Sequence, residues 1–223
     1  MIDRIRIVGM GRVGSAVAAR LRERGLELTE DGAELVLLCV PDRAIAEVAR
    51  TILPGPWIAH TSGATPLAAL DPHAQRFALH PLQTFTRARG PEQLDGAYAA
   101  ISAETVEARE AGFWLARELA LEPFELRDGE RALYHAGAAV ASNFLVTLHR
   151  AAADLLEAAG APPEGLAPLM RRVIENGFEL TGPIERGDWE TVEAHLAAIR
   201  ERRPQLEPVY RTLADATAAL ALR

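Results

Sequence analysis

The segment Gly9-Met10-Gly11-Arg12-Val13-Gly14 constrains the fold of this chain more than any other. An apolar run at 5–8 precedes it, and a helical pattern at 11–24 follows, with Val13, Val17, Ala18 and Leu21 on one face. Strand, glycine turn and helix in that order give the spacing its meaning. The first glycine permits a tight turn, the second lets a diphosphate approach the backbone, and the third lets helix and strand pack closely. Free N–H groups and the dipole at the helix start favour an anion there. The same turn can also be kept for packing alone.

Further β-rich runs at 34–40, 57–60, 77–79 and 98–102 alternate with helical stretches. Residues 34–40 are continuously apolar, as in a parallel strand buried on both faces, and Pro41 ends them. Asp42 is expected to cap the helix that runs to Arg50. One departure from the usual pattern stands out. Residues 26–31 run almost directly into the strand at 34–40, leaving no room for the helix that normally links these strands. The fold class expected is α/β: a shortened Rossmann-like parallel sheet lacking its second crossover helix, followed by an all-α C-terminal domain. The adenosine half of a dinucleotide site would be truncated. Glu30 and Asp31 are either ribose-binding acids, favouring NAD, or ordinary loop carboxylates.

From 129 onward the periodicity is helical throughout, with helices expected at 129–159, 164–180, 189–202 and 204–222. The division expected is therefore 1–128 and 129–223. The first of these helices is apolar on several sides, so it must bury against its neighbours or a second copy, which predicts a homodimer through the helical domain.

All 24 basic residues are arginine; the chain has no lysine. Schiff-base, P-loop and lysine general-base chemistry are thereby excluded. With 31 acidic residues and a net charge of -7, nucleic acid is not an expected partner. The single cysteine, Cys39, reads as core and permits no internal disulfide, and no run of 18 apolar residues suggests a membrane span. A cytoplasmic protein is expected, with no membrane partner.

Taken with the glycine turn, the segments Val40-Pro41-Asp42, His60-Thr61-Ser62-Gly63, His80-Pro81-Leu82-Gln83-Thr84-Phe85, Tyr134-His135, Ser142-Asn143 and Thr181-Gly182-Pro183 resemble one group of bacterial proteins. These pair a Rossmann-like NAD(P)-binding domain with a helical domain of unknown function, within the 6-phosphogluconate dehydrogenase-like superfamily. The resemblance implies NADP or NAD as cofactor, held by residues 9–14 with its nicotinamide end near Val40, Pro41 and Gly63. It implies a helical domain that closes over the site. Hydroxyacid dehydrogenases of the superfamily use a helical lysine one turn before an asparagine; if Asn143 matches that asparagine, Ala139 occupies the lysine position, and that mechanism is closed to this chain.

Proton exchange with a carbonyl or imine needs a titratable group, and histidine suits it. His60 and His80 lie in segments similar to those of prephenate dehydrogenase. That similarity makes Ser62 a substrate-orienting group and His80 the holder of the substrate proton. The alternative is that His80 only bonds backbone before a proline turn. His135 joins them as a third catalytic candidate, with Ser142 one helical face along and Asn143 about 80° round by the 3.6-residue period. Both are substrate-contact candidates. Small residues 137–139 let a cofactor or another backbone approach; a plain helix contact is the competing reading. Histidine spacing offers no metal pattern, and no metal is expected. Arg186 and Asp188 read as structural, Asp188 as a helix cap. Two functions follow: an NAD(P)-dependent oxidoreductase acting on a small polar substrate, or a degenerate Rossmann dimer that has lost the dinucleotide and binds a small ligand or protein.

Overall fold

The computed structural model describes residues 2–222. The chain forms two compact units, one ending at Ser142 and one beginning at Asn143. The first unit thus includes helical residues beyond 128, where helical periodicity places the end of the α/β region.

The first unit is built on a seven-stranded sheet of order β2-β1-β3-β4-β5-β6-β7. Its strands are β1 (Arg4–Val8), β2 (Glu27–Leu28), β3 (Leu35–Leu38), β4 (Trp57–His60), β5 (Arg76–Pro81), β6 (Tyr98–Ala103) and β7 (Glu122–Glu125). The first five are parallel; β6 runs antiparallel to β5, and β7 follows β6. Helices α1 (Arg12–Glu23), α2 (Asp42–Thr51) and α3 (Val106–Glu118) cover the sheet, and α4 (Arg131–Ala139) closes the unit.

Side-chain alternation along β3 feeds two cores. Leu35 and Leu37 enter one with Val17 and Leu21 of α1 and Leu115 of α3, while Val36 and Leu38 enter the other with Ile45 and Ala49 of α2. Both faces being covered is why residues 35–38 carry no polar side chain. Each such leucine contributes roughly 1.5–3 kcal/mol by leaving water.

No helix separates β2 from β3. Strand β2 stops opposite Ile5, and β3 begins opposite the same residue on the other side of β1, so six residues suffice to pass from one side to the other. Glu34 secures this passage: its amide donates to the Arg4 carbonyl at 2.8 Å, and its Oε2 accepts from the amides of Asp3 and Arg4 at 2.8 and 3.1 Å. Those two N–H groups hold its carboxyl below the usual range.

Asp42 does not cap α2. The cap position is Pro41, with no side-chain bond, and Asp42 stands in the first turn, where a carboxylate still complements the helix dipole. Between 103 and 121 the structure has a helix that periodicity did not single out. The buried face of α3 is Ala108, Gly112, Leu115 and Ala116, too small-sided to signal itself, and a Cβ at Gly112 would stand 2.6 Å from Ile101.

The expected helix at 129–159 is divided. Between α4 and α5 (Leu145–Ala159), residues Val140–Phe144 form a π-helical turn, which breaks the 3.6-residue period behind the angle assigned to Asn143. The second unit continues with α6 (Leu166–Glu175), α7 (Trp189–Arg202) and α8 (Glu207–Ala221). Helix α6 ends at Glu175, short of the expected 180, because Asn176 and Gly177 leave the helical path. Asp188 does cap α7, accepting from the Thr191 amide at 3.1 Å. Within this unit Val192, Leu196 and Ile199 of α7 are buried, whereas α5 has no buried residue. Among the described residues no helix is long and apolar enough to cross a membrane.

Candidate functional site

Two features of the first unit meet the requirements of a site. One is the glycine turn between β1 and α1. Gly9 has φ +100° and lies so close to β3 that a Cβ would stand 2.6 Å from the Cys39 carbonyl oxygen. A Cβ at Gly14 would overlap the Gly9 carbonyl. Gly11 differs from both. It is the N-cap of α1, makes no strained turn, and a Cβ there would meet nothing within 4 Å. No side chain caps α1, and no acid stands in its first turn. Its first amides therefore have no capping side chain, the condition an anion exploits. Met10 and Arg12 are exposed beside the turn, and Val13 is half-buried. Cys39, beneath it, is pushed up to about 12 by burial and takes no part as a thiolate.

The second feature is a polar cluster at the carboxyl ends of β4 and β5. His60 pairs with Ala78, and His80 with Ala100, so alternation puts both rings on the sheet face that α2 covers. His80 Nδ1 lies 2.8 Å from the Tyr134 hydroxyl, and its ring meets that of Tyr134 edge-on at 5.4 Å. The His135 ring lies 5.9 Å from that of His80. Gly63 fits between them: a Cβ would stand 2.5 Å from His135 Cδ2 and 2.8 Å from His80 Nε2. Here glycine is required for space, since no positive φ is involved.

Burial pushes His80 down to about 4; His135 and Arg131 add to this, and Asp42 opposes it. His80 is thus a neutral imidazole at pH 7. His60, wholly buried, is pushed down to about 3 by burial and by Arg131. Its Nδ1 accepts from the Ser62 amide at 3.2 Å, so the ring proton resides on Nε2. Burial raises the Tyr134 hydroxyl to about 12, and it keeps its proton.

Arg131 ties the cluster together from the first turn of α4. It is 1% exposed, donates to Ser102 Oγ at 2.9 Å and to the Ser62 carbonyl, and so joins β6 to the loop carrying Gly63. Asp128, 4.0 Å from its Nε, accepts from the Leu67 amide. Burial lowers the Arg131 pKa without removing its charge.

The structure brings His80, His135, Ser62 and Gly63 together. Ser62 differs from its expected setting: Oγ accepts from the amides of Ala64 and Thr65 at 3.2 and 3.0 Å and donates to Thr65 Oγ1 at 2.9 Å, so its hydroxyl is spent inside its own loop. Val40 and Pro41 follow β3 into α2, at the same edge of the sheet. Ser142 donates to the Ala138 carbonyl at 2.7 Å, and Asn143 opens the second unit. Tyr134 and Arg131 were not among the expected catalytic residues. Tyr134 adjoins His135 in sequence, which is the one signal that pointed to it; nothing in the sequence marks an arginine as buried. Among the described residues, no group of three or more His, Cys, Asp or Glu side chains is placed to hold a metal ion.

Similar structures share this fold across almost the whole chain. An NADP oxidoreductase candidate from Bacteroides fragilis superposes with a TM-score of 0.81 at 22% identity, over 98% of each chain. A protein from Thermotoga maritima gives 0.76 at 23% identity, over 98% of this chain and 100% of that one. A reductive aminase from Aspergillus terreus, solved with NADPH and ethyl levulinate, gives 0.67 at 18% identity, over 98% and 94%. At such identities the likeness is one of fold. No curated protein matches the chain. The family profile described as a domain of unknown function, DUF2520, matches residues 97–217, more than half of the sequence. The chain belongs to the DUF2520 family, here a Rossmann-like α/β unit followed by a helical one.

Proposed function

We propose that the protein is an NAD(P)-dependent oxidoreductase acting on a small polar substrate. The observation that carries this reading is the uncapped start of α1 with open space above Gly11. Gly9 and Gly14 bring the backbone of β1, α1 and β3 into contact, and Gly11 is left free for a ligand. The residues present fit a diphosphate, with the amides of 11–14 as donors. The cofactor, when bound, supplies the hydride. Its nicotinamide end would lie toward Val40, Pro41 and Gly63, and its adenosine side would meet a shortened wall where β2 stops at Leu28.

Within this reading His80 works as a neutral donor. With pKa about 4 it is protonated in roughly 0.1% of molecules at pH 7, so a charged imidazolium acid is a rare species. When Tyr134 donates to Nδ1, the ring proton sits on Nε2, the nitrogen that faces Gly63. His80 then offers N–H to a substrate oxygen or nitrogen, held in orientation by Tyr134. His135 borders the same space. Ser62 contributes through the shape of its loop.

Calorimetric titration with NAD⁺, NADP⁺ and their reduced forms tests the proposal, using Gly11→Asp as the control. Aspartate at this N-cap should stabilise α1 by a few tenths of a kcal/mol while placing a negative charge and a side chain in the cradle. Micromolar binding to the parent chain and none to this folded variant is the expected result. The two-residue β2 favours a second reading, a degenerate Rossmann dimer that binds a small ligand or a protein, and absence of binding at millimolar cofactor would reject the oxidoreductase reading in its favour.

A further inference from the structure

We infer that the hollow between α1 and the loop after β5 is a phosphate-monoester site, formed by Arg12, Arg87 and Arg89. The hollow has a volume of about 240 Å³. Its floor is Ser15, Ala16 and Ala19, small residues on one stretch of α1, and its wall is formed by Thr86, Arg87, Arg89, Gly90 and Pro91. Such a volume holds one end of a ligand rather than a whole drug-sized molecule.

The loop is built to be rigid. Gln93 is 4% exposed and spends its whole amide on it: Oε1 accepts from the Thr86 amide at 2.8 Å, and Nε2 donates toward the carbonyls of Thr86, Arg89 and Gly90 at 3.2, 2.9 and 2.9 Å. Arg20, on α1, binds the Pro91 carbonyl at 3.0 Å and Asp95, fastening the far end of the loop to the helix. A buried amide serving three carbonyls of a loop that exposes two arginines is more than a solvated turn needs.

Charge then selects the ligand. Among the described residues, Arg12 and Arg87 have no carboxylate within ion-pair distance, and Arg89 meets only Glu92, at 3.5 Å. Two guanidinium groups without a carboxylate partner, beside a third that meets Glu92, attract an anion on a chain of net charge -7, and several planar forks suit the oxygens of a dianionic phosphate better than a single carboxylate. Arg12 lies next to Gly11, so the hollow adjoins the diphosphate cradle. The monoester is that of a free phosphorylated ligand: the adenosine end of a dinucleotide would lie toward β2, across β1 from the loop after β5, so the site does not rest on the dinucleotide reading above.

Titrations of the full chain and of Arg87→Ala/Arg89→Ala with NADP⁺, NAD⁺, 2′-AMP and inorganic phosphate decide the matter. Inorganic phosphate and 2′-AMP should bind the full chain and lose at least tenfold in affinity in the double variant. NAD⁺ affinity should stay within twofold in that variant, and a preference for NADP⁺ that the variant abolished would overturn the free-ligand assignment. Equal NAD⁺ and NADP⁺ affinities with arginine-dependent binding of inorganic phosphate or 2′-AMP would support the site with a free ligand. If no dinucleotide binds but phosphate does, the cofactor reading fails and the site stands. If NAD⁺ binds and no phosphate probe responds to the arginines, the site is rejected and the cofactor reading stands.

Discussion

The Tyr134 hydroxyl lies 2.8 Å from His80 Nδ1, which leaves Nε2 as the one ring nitrogen free to meet a ligand on the Gly63 side. A residue of α4 thus orients a residue of β5. Tyr134→Phe removes this bond and is expected to lower kcat by roughly tenfold, whereas His80→Asn lowers it by about 100-fold or more. Both should leave cofactor Kd within about twofold. Steady-state oxidation of reduced cofactor with a panel of carbonyl and imine substrates, beside calorimetry, measures the two quantities; equal losses in turnover and cofactor affinity would remove His80 from its role.

Acid should destabilise the fold through His80 and His60. The unfolded chain protonates both rings near pH 6.5, and the folded protein does so only near 4 and 3. Below pH 6.5 the unfolded state therefore binds more protons, and stability falls with pH; above 6.5 neither ring contributes. Each histidine adds a slope of up to about 1.4 kcal/mol per pH unit, extending to about pH 4 for His80 and pH 3 for His60. Urea unfolding between pH 6 and 4.5 should show His80→Asn flattening the slope by about one proton. An unchanged slope would place the His80 pKa near its ordinary value.

Gly63→Ala should cost function before it costs fold. The new methyl would stand 2.5 Å from His135 and 2.8 Å from His80, so the rings must part. Overpacking of this kind costs about 1–3 kcal/mol. A loss of turnover of about tenfold or more is expected with Tm lowered by only several degrees. Wild-type turnover in the alanine variant would show that the spacing of the two rings does not matter.

The helical unit is expected to pair with a second copy. Phe144, Leu145 and Val146 are exposed in the single chain at 57%, 43% and 55%, and α6 and α8 bury only Leu166 and Ala214. Apolar surface on this scale normally faces protein. Analytical ultracentrifugation should give a dimer for the parent chain and a shift to monomer for Val146→Glu. A monomeric parent chain would refute the pairing.

How much of this could be read from the chain is clearest at particular residues. The strand-turn-helix at 5–24, the doubly buried strand at 35–38 and the missing crossover after β2 follow from local rules: apolar period, glycine spacing and the length a connection needs. Asp188 as a cap follows likewise. Helix α3 escaped notice because its buried face is mostly alanine and glycine, and the direction of β6 because pairing sense leaves no mark on an apolar run.

The sequence alone determined which residues were available for chemistry: no lysine, one cysteine, histidines beside prolines and glycines. Tertiary structure decided which of them meet. It set Tyr134 against His80 and buried Arg131 across β6 and the Gly63 loop. These pairs are separated by tens of residues in the chain, so no local periodicity encodes them. They exist because the register of β4, β5 and β6 brings their ends to one edge, where burial then sets which rings carry charge.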